Sequence, residues 1–162
     1  MGKYQDMSLT DYTRTLSERS PTPGGGSAAA LTAALGTALL SMVGNYSLGR
    51  GLPAGDERAI RGLLKKTEAN RARLLTLVDL DAAAYDQVVA TRQGPARARQ
   101  SALRQAQRVP SEVARLCYRS IELTPLLIEK GNPYLLSDVQ VAAELLLSAF
   151  RSAMVNVRVN QK

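Results

Sequence analysis

Asp81 and Tyr85 stand four residues apart, so any helix that carries them shows a carboxylate and a phenol on one face. Such a pair can move a proton, with the carboxylate as base and the phenol as relay. The same spacing also suits an exposed acid above a core tyrosine, and it does not choose between them. Asp138 follows Ser137 at an expected helix start, where the macrodipole favours the ionised form. Residues alone make it either an ordinary N-terminal acid or a fixed anion for a ligand. A third group is Ser20-Pro21-Thr22-Pro23-Gly24-Gly25-Gly26-Ser27. Its prolines bar a helix. Its glycines permit unusual backbone angles and let a ligand, or another backbone, come close at Pro23, Gly24, Gly25 and Gly26. Ser27 is the expected N-cap of the alanine-rich run that follows. A glycine loop feeding a helix offers free N–H groups to an anion or carbonyl oxygen; the plainer reading is a tight turn between helices. Asn132 either orients a substrate or closes a turn with Pro133. Asn156 and Asn160 share one helix face, as structural hydrogen bonds, for example across a dimer, or as site groups.

These groups stand out because the chain lacks the side chains that most often do such chemistry. Its 162 residues include no histidine, no tryptophan and one cysteine, Cys117. Histidine bases and Cys/His zinc sites are therefore excluded, as is an internal disulfide. Acid–base work falls to Asp, Glu, Tyr, Lys or water, and no carboxylate cluster has metal-loop spacing. A lone cysteine and a polar start, Met1 to Met7, without an apolar leader core point to a reduced, cytoplasmic setting. The net charge of +7 would suit a polyanion, yet the arginines are dispersed along helices and aromatics are few, so a nucleic-acid partner is not expected. The uncharged stretch Ser20–Gly49 is long enough to span a membrane. Its Ala, Gly, Ser and Thr content favours a close-packed core helix instead, and no membrane partner is expected.

The elements that must position these residues are all helical. Ser8 with Asp11 resembles a capping box for a helix to Arg19. An almost wholly apolar helix follows over Ser27–Ser47, to be buried on most sides. A chain this short covers such a helix most easily at a subunit interface, so a homodimer is expected. Asp56–Thr91 forms a long helix whose inner stripe includes Ile60, Leu63, Leu64, Leu74, Leu75, Val78, Tyr85, Val88 and Val89. Gly94-Pro95 breaks it. An arginine-rich helix runs from Ala96 to Arg108 and Pro110 kinks or restarts it. The next spans Ser111–Lys130, kinked at Pro125, and the last runs from Ser137-Asp138 to Asn160. The expectation is one all-α domain over residues 1–162, a helical bundle with the two apolar helices at its centre.

Four blocks in order resemble the cyclodeaminase/cyclohydrolase family of folate enzymes. They are Ser20–Ser27 with Ala29, Ala30, Gly36 and Ser41-Met42-Val43; Asp81 to Tyr85 with Val88; Ala106-x-x-Val109-Pro110; and Gly131-Asn132-Pro133, Ser137-Asp138, Val141-Ala142-Ala143 and Asn156 to Asn160. The resemblance implies an all-α dimer with its site near the subunit interface. It also implies a tetrahydrofolate derivative as substrate, no cofactor, and a ring opened or closed at one carbon by water addition or ammonia release. Asp81, Tyr85 and Asp138 are then the catalytic candidates. Pro23, Gly24, Gly25, Gly26, Ser27, Asn132 and Ser137 are the substrate-binding ones. The chain departs from the family's usual pattern at Gly49–Pro53, where a lysine-rich patch is common, at Tyr134, where a second asparagine is common, and at Val139-Gln140, where small residues are usual. Two other readings stay open: the same fold acting on another small molecule, and a non-catalytic basic dimer binding an acidic partner.

Overall fold

The computed structural model describes residues 3–160. Six α-helices follow one another: α1 (Leu9–Ser17), α2 (Gly25–Ser47), α3 (Ala54–Thr91), α4 (Ala96–Ile121), α5 (Thr124–Lys130) and α6 (Leu136–Val159). Among the described residues there is no strand. Helix α6 runs on to Val159, with Asn160 in its C-cap position.

The local signals explain most boundaries. Ser8 caps α1: its Oγ accepts from Asp11 N at 3.0 Å and donates to Asp11 Oδ2 at 2.6 Å. That bond and Arg14 hold the Asp11 carboxyl below the usual range. Gly94 and Pro95 separate α3 from α4. Two boundaries correct the sequence reading. Helix α4 does not restart at Pro110 but continues to Ile121, and the break falls at Glu122–Leu123. Pro125 opens α5, where the missing N–H has no helical role to lose.

The four long helices close a ring. Helix α2 packs on α3 and α6, and α4 packs on both of those and more lightly on α2. The core is shared by all four, so the expected pair of central helices is not what is seen. Leu40 and Val43 of α2 meet Leu63, Leu74, Leu77 and Val78 of α3, Val113, Leu116 and Cys117 of α4, and Val139 and Leu146 of α6. Burial pushes the Cys117 thiol up to about 12, which leaves it a small inert core group. At Gly36, a Cβ would lie 2.9 Å from Leu146 Cγ, so glycine lets α2 and α6 approach closely. Small hydroxyls make a polar layer: Ser41 Oγ donates to Thr67 Oγ1 at 2.8 Å, and Asn70 Nδ2 donates to Ser120 Oγ at 3.1 Å.

Within one chain, helix α2 is left uncovered along one side. Leu35 is 50% exposed and Tyr46 63%, while Leu31, Leu39 and Met42 are half-buried. Tyr85 and Val89 of the expected inner stripe are exposed too, because α3 outruns the core near its C-terminus.

Candidate active site

Asp81 sits on α3 opposite the first turn of α2. The Ser27 N–H donates to Asp81 Oδ2 at 2.9 Å. Orphan N–H groups of a helix start seek an acceptor, and here a side chain from another helix supplies it. Gly26 makes the approach possible: a Cβ there would fall 2.6 Å from Asp81 Oδ2 and closer still to Oδ1. Burial raises the Asp81 carboxyl above its ordinary value, and the Ser27 bond opposes the rise without cancelling it.

This geometry corrects three expectations for the glycine loop. The helix begins at Gly25, with Gly24 in the N-cap position, so Gly25 and Gly26 are helical. Neither Gly24, Gly25 nor Gly26 has a positive φ; the glycines with φ near +75° are Gly49 and Gly51. Ser27 is therefore not a cap. Its buried Oγ pairs with Tyr12 Oη at 3.0 Å, which ties α1 to α2 beneath the Asp81 contact. The other side of the loop is braced by Tyr4: its N–H donates to Asp79 Oδ1 at 2.6 Å and its Oη pairs with Thr22 Oγ1 at 3.1 Å.

A cleft of about 360 Å³ opens beside Asp81. Its floor and near wall are Thr22, Gly24, Gly25, Gly26 and Asp81; Tyr85 and Val88 stand along α3. Leu103 and Ala106 of α4 and Asn156 and Asn160 of α6 complete it. Tyr85 is 46% exposed, one turn beyond Asp81, as the i,i+4 spacing required. Pro23 and Ser27 are buried and do not line the cleft. A larger, more open groove among Arg104, Arg108 and Arg115 lies on the outer face of α4, away from the carboxylate.

The remaining candidates lie elsewhere. Asn132 Oδ1 accepts from Tyr134 N at 3.1 Å, which closes the turn with Pro133. Its backbone N–H donates to Ser47 Oγ at 2.9 Å, at the far end of α2. Ser137 and Asp138 start α6 at that same end. Gly25 and Ser47 bound α2, and at 1.5 Å per residue they are about 33 Å apart. One chain thus brings together Asp81, Tyr85 and the glycines, and holds Asn132, Ser137 and Asp138 at the opposite end. The α4 wall, Leu103 with Ala106, carried no chemical signal in the sequence, although Ala106 belongs to a block that signalled the family.

The arrangement defines a class: a helical bundle with a half-buried carboxylate, its pKa raised by burial, beside a small cleft. The formiminotransferase-cyclodeaminase family model matches residues 8–162, and the chain belongs to that family. It is 38% identical over 157 residues to a methenyltetrahydrofolate cyclohydrolase of Methylorubrum extorquens, covering 91% of this chain and 76% of that protein. It is 37% identical over 167 residues to the formimidoyltransferase-cyclodeaminase of Rattus norvegicus, covering 97% of this chain and 31% of that longer protein. Its fold matches the crystal structure of a formiminotetrahydrofolate cyclodeaminase from Thermotoga maritima with a TM-score of 0.94 and 30% identity, covering 98% of this chain and 80% of that one.

Proposed function

We propose that this protein is a folate cyclohydrolase or cyclodeaminase in which Asp81 carries the proton. The observation that carries the reading is the Asp81 carboxylate itself, held by the Ser27 N–H against Gly26 and raised by burial. In both reactions a nucleophile adds to one electron-poor carbon between two nitrogens. Water adds to the methenyl carbon of the cyclic amidinium, loses a proton, and the ring C–N bond breaks to leave a formyl group on one nitrogen. In the other reaction the amine nitrogen outside the ring adds to the formimino carbon, which closes the new ring as ammonia departs. Each sequence needs one group to take the proton from the nucleophile and return one to the leaving nitrogen. A carboxyl with a raised pKa does both, and its charge stabilises the cation. Tyr85 at the rim orients water or relays the proton.

The second half of the reading is a homodimer. Residues Ala28, Leu31, Thr32, Leu35, Ala38, Leu39, Met42 and Tyr46 repeat on the uncovered side of α2 with the three-and-four spacing of a helix–helix seam. A two-fold axis near its middle would run two α2 helices antiparallel. The Asp81 end of one chain then meets the Asp138 end of its partner, which gives Asp138, Ser137 and Asn132 a place in the site they lack within one chain.

The assay is loss of methenyltetrahydrofolate absorbance, with spontaneous hydrolysis subtracted, beside ammonia release from formiminotetrahydrofolate. Asp81→Asn is expected to lower kcat by about 10²–10³, the usual worth of a positioned acid–base group. No rate above background with either substrate refutes the reading. Mixing inactive Asp81→Asn and Asp138→Asn chains should restore about a quarter of the wild-type sites, because half the random dimers carry one intact site. No recovery on mixing refutes the shared site.

A further inference from the structure

Pro110 lies inside α4, not at an end. It has no N–H, so the carbonyl of Ala106, four residues earlier, loses its helical donor. The structure supplies another. Asn160 Nδ2 donates to Ala106 O at 2.9 Å, and Gln107 Nε2 donates to the Asn160 backbone carbonyl at 2.6 Å. The end of α6 is thereby fastened to the middle of α4. The bond also fixes the sense of the Asn160 carboxamide, since a carbonyl can accept only from its nitrogen. Asn160 Oδ1 accepts no hydrogen bond from the described residues, and Asn160 is half-buried. Asn160 and Ala106 both line the Asp81 cleft.

We propose that Asn160 is a substrate-binding residue of the Asp81 cleft, a hydrogen-bond acceptor whose direction Pro110 sets by freeing the Ala106 carbonyl. The cleft then has acceptors on two walls, the Asp81 carboxylate and Asn160 Oδ1. It takes a ligand with N–H donors on two edges, such as a reduced amino-pyrimidinone ring system, and disfavours one that turns a carbonyl or anion toward α6. Pro110 is a positioning residue in this device. The Asn156 side chain, one turn earlier on the same wall, makes no hydrogen bond among the described residues and lacks such a pin.

The inference rests on the folate reading for its ligand, and the test separates the two. Methenyltetrahydrofolate turnover is measured for wild type, Asn160→Ala and Pro110→Ala, with thermal stability alongside. Asn160→Ala should raise KM about tenfold with kcat within about twofold, the loss of one hydrogen bond worth about 1.4 kcal/mol. Pro110→Ala returns an N–H to Ala106 O and should melt no lower than wild type, yet its KM should also rise. A purely structural role predicts the reverse: lower stability in Asn160→Ala and unchanged KM in both. That result overturns the inference. Hydrogen exchange of the Asn160 side-chain amide gives a readout without any ligand. It should be slow in wild type and faster in Pro110→Ala; equal exchange in the two overturns the pin. If wild type turns over neither folate, the folate reading fails, and the amide exchange alone decides the inference.

Discussion

Gly26→Ala gives the sharpest test of the Asp81 contact. A Cβ at Gly26 would overlap the Asp81 carboxylate, whereas one at neighbouring Gly25 would meet nothing within 4 Å. The carboxylate is the end of a side chain and can swing aside. What it loses is the bond from Ser27 N–H, which at 2.9 Å is a good charge-assisted bond. Hydrogen bonds to charged groups are worth about 1.5–3 kcal/mol. Replacing a helical glycine by alanine returns up to about 1 kcal/mol. Swinging out also relieves the burial that outweighs the Ser27 bond at Asp81, so stability should change by no more than about 1 kcal/mol, a Tm shift within about 4 °C for a chain of this size. Activity should fall much further, by about 10²-fold or more, because a displaced carboxylate no longer meets the reacting atoms. Gly25→Ala is the matched control for stability and should melt as wild type or slightly higher. The assays are thermal unfolding and methenyltetrahydrofolate hydrolysis on the same preparations. A Gly26→Ala protein with wild-type kcat would show that the close contact is only packing, and would remove Asp81 from the mechanism.

The pH dependence follows from the raised Asp81 pKa. The folded state holds this proton more tightly than the unfolded chain, so the group favours folding at low pH and loses that contribution as pH rises through its folded pKa. Asp81→Asn should therefore gain stability relative to wild type at neutral pH, with the gain closing toward the ordinary 3.8; in active wild type the acidic limb of kcat/KM should lie above that value, and a limb at or below it contradicts the assignment. Ser27→Ala leaves the buried Tyr12 Oη without its partner but keeps the backbone N–H for Asp81; unfolding experiments should show a loss of about 1–3 kcal/mol with kcat nearly unchanged, and a large fall in kcat would mean the hydroxyl itself takes part. Leu35→Lys alters a side chain that is half exposed in the single chain; ultracentrifugation should find a folded monomer where wild type is a dimer, and a dimer of undiminished stability would place the interface elsewhere.

Much of the fold was legible because its signals are local. Ser8 with Asp11 marks a cap, Gly94-Pro95 marks a break, and runs of apolar residues at three-and-four spacing admit only helices. The family blocks were legible for the same reason: they are strings of residues in order. Asp81 and Tyr85 were placed on one face by helix geometry alone. What the sequence could not settle depended on partners distant in the chain. Pro110 looks like a helix break until Asn160, fifty residues on, takes up the freed carbonyl of Ala106. The triple glycine looks like a turn or an open ligand loop until Asp81 arrives from another helix and leaves no room for a side chain at Gly26. Ser27 looks like a cap until Tyr12 claims its hydroxyl. The family resemblance groups Asp81 with Asp138, and within one chain the tertiary structure puts them at opposite ends of α2, whose 23 residues span about 33 Å. Periodicity fixes which residues share a face, within one element. Which faces meet, and which polar groups satisfy one another across them, is decided only when the four helices close their ring.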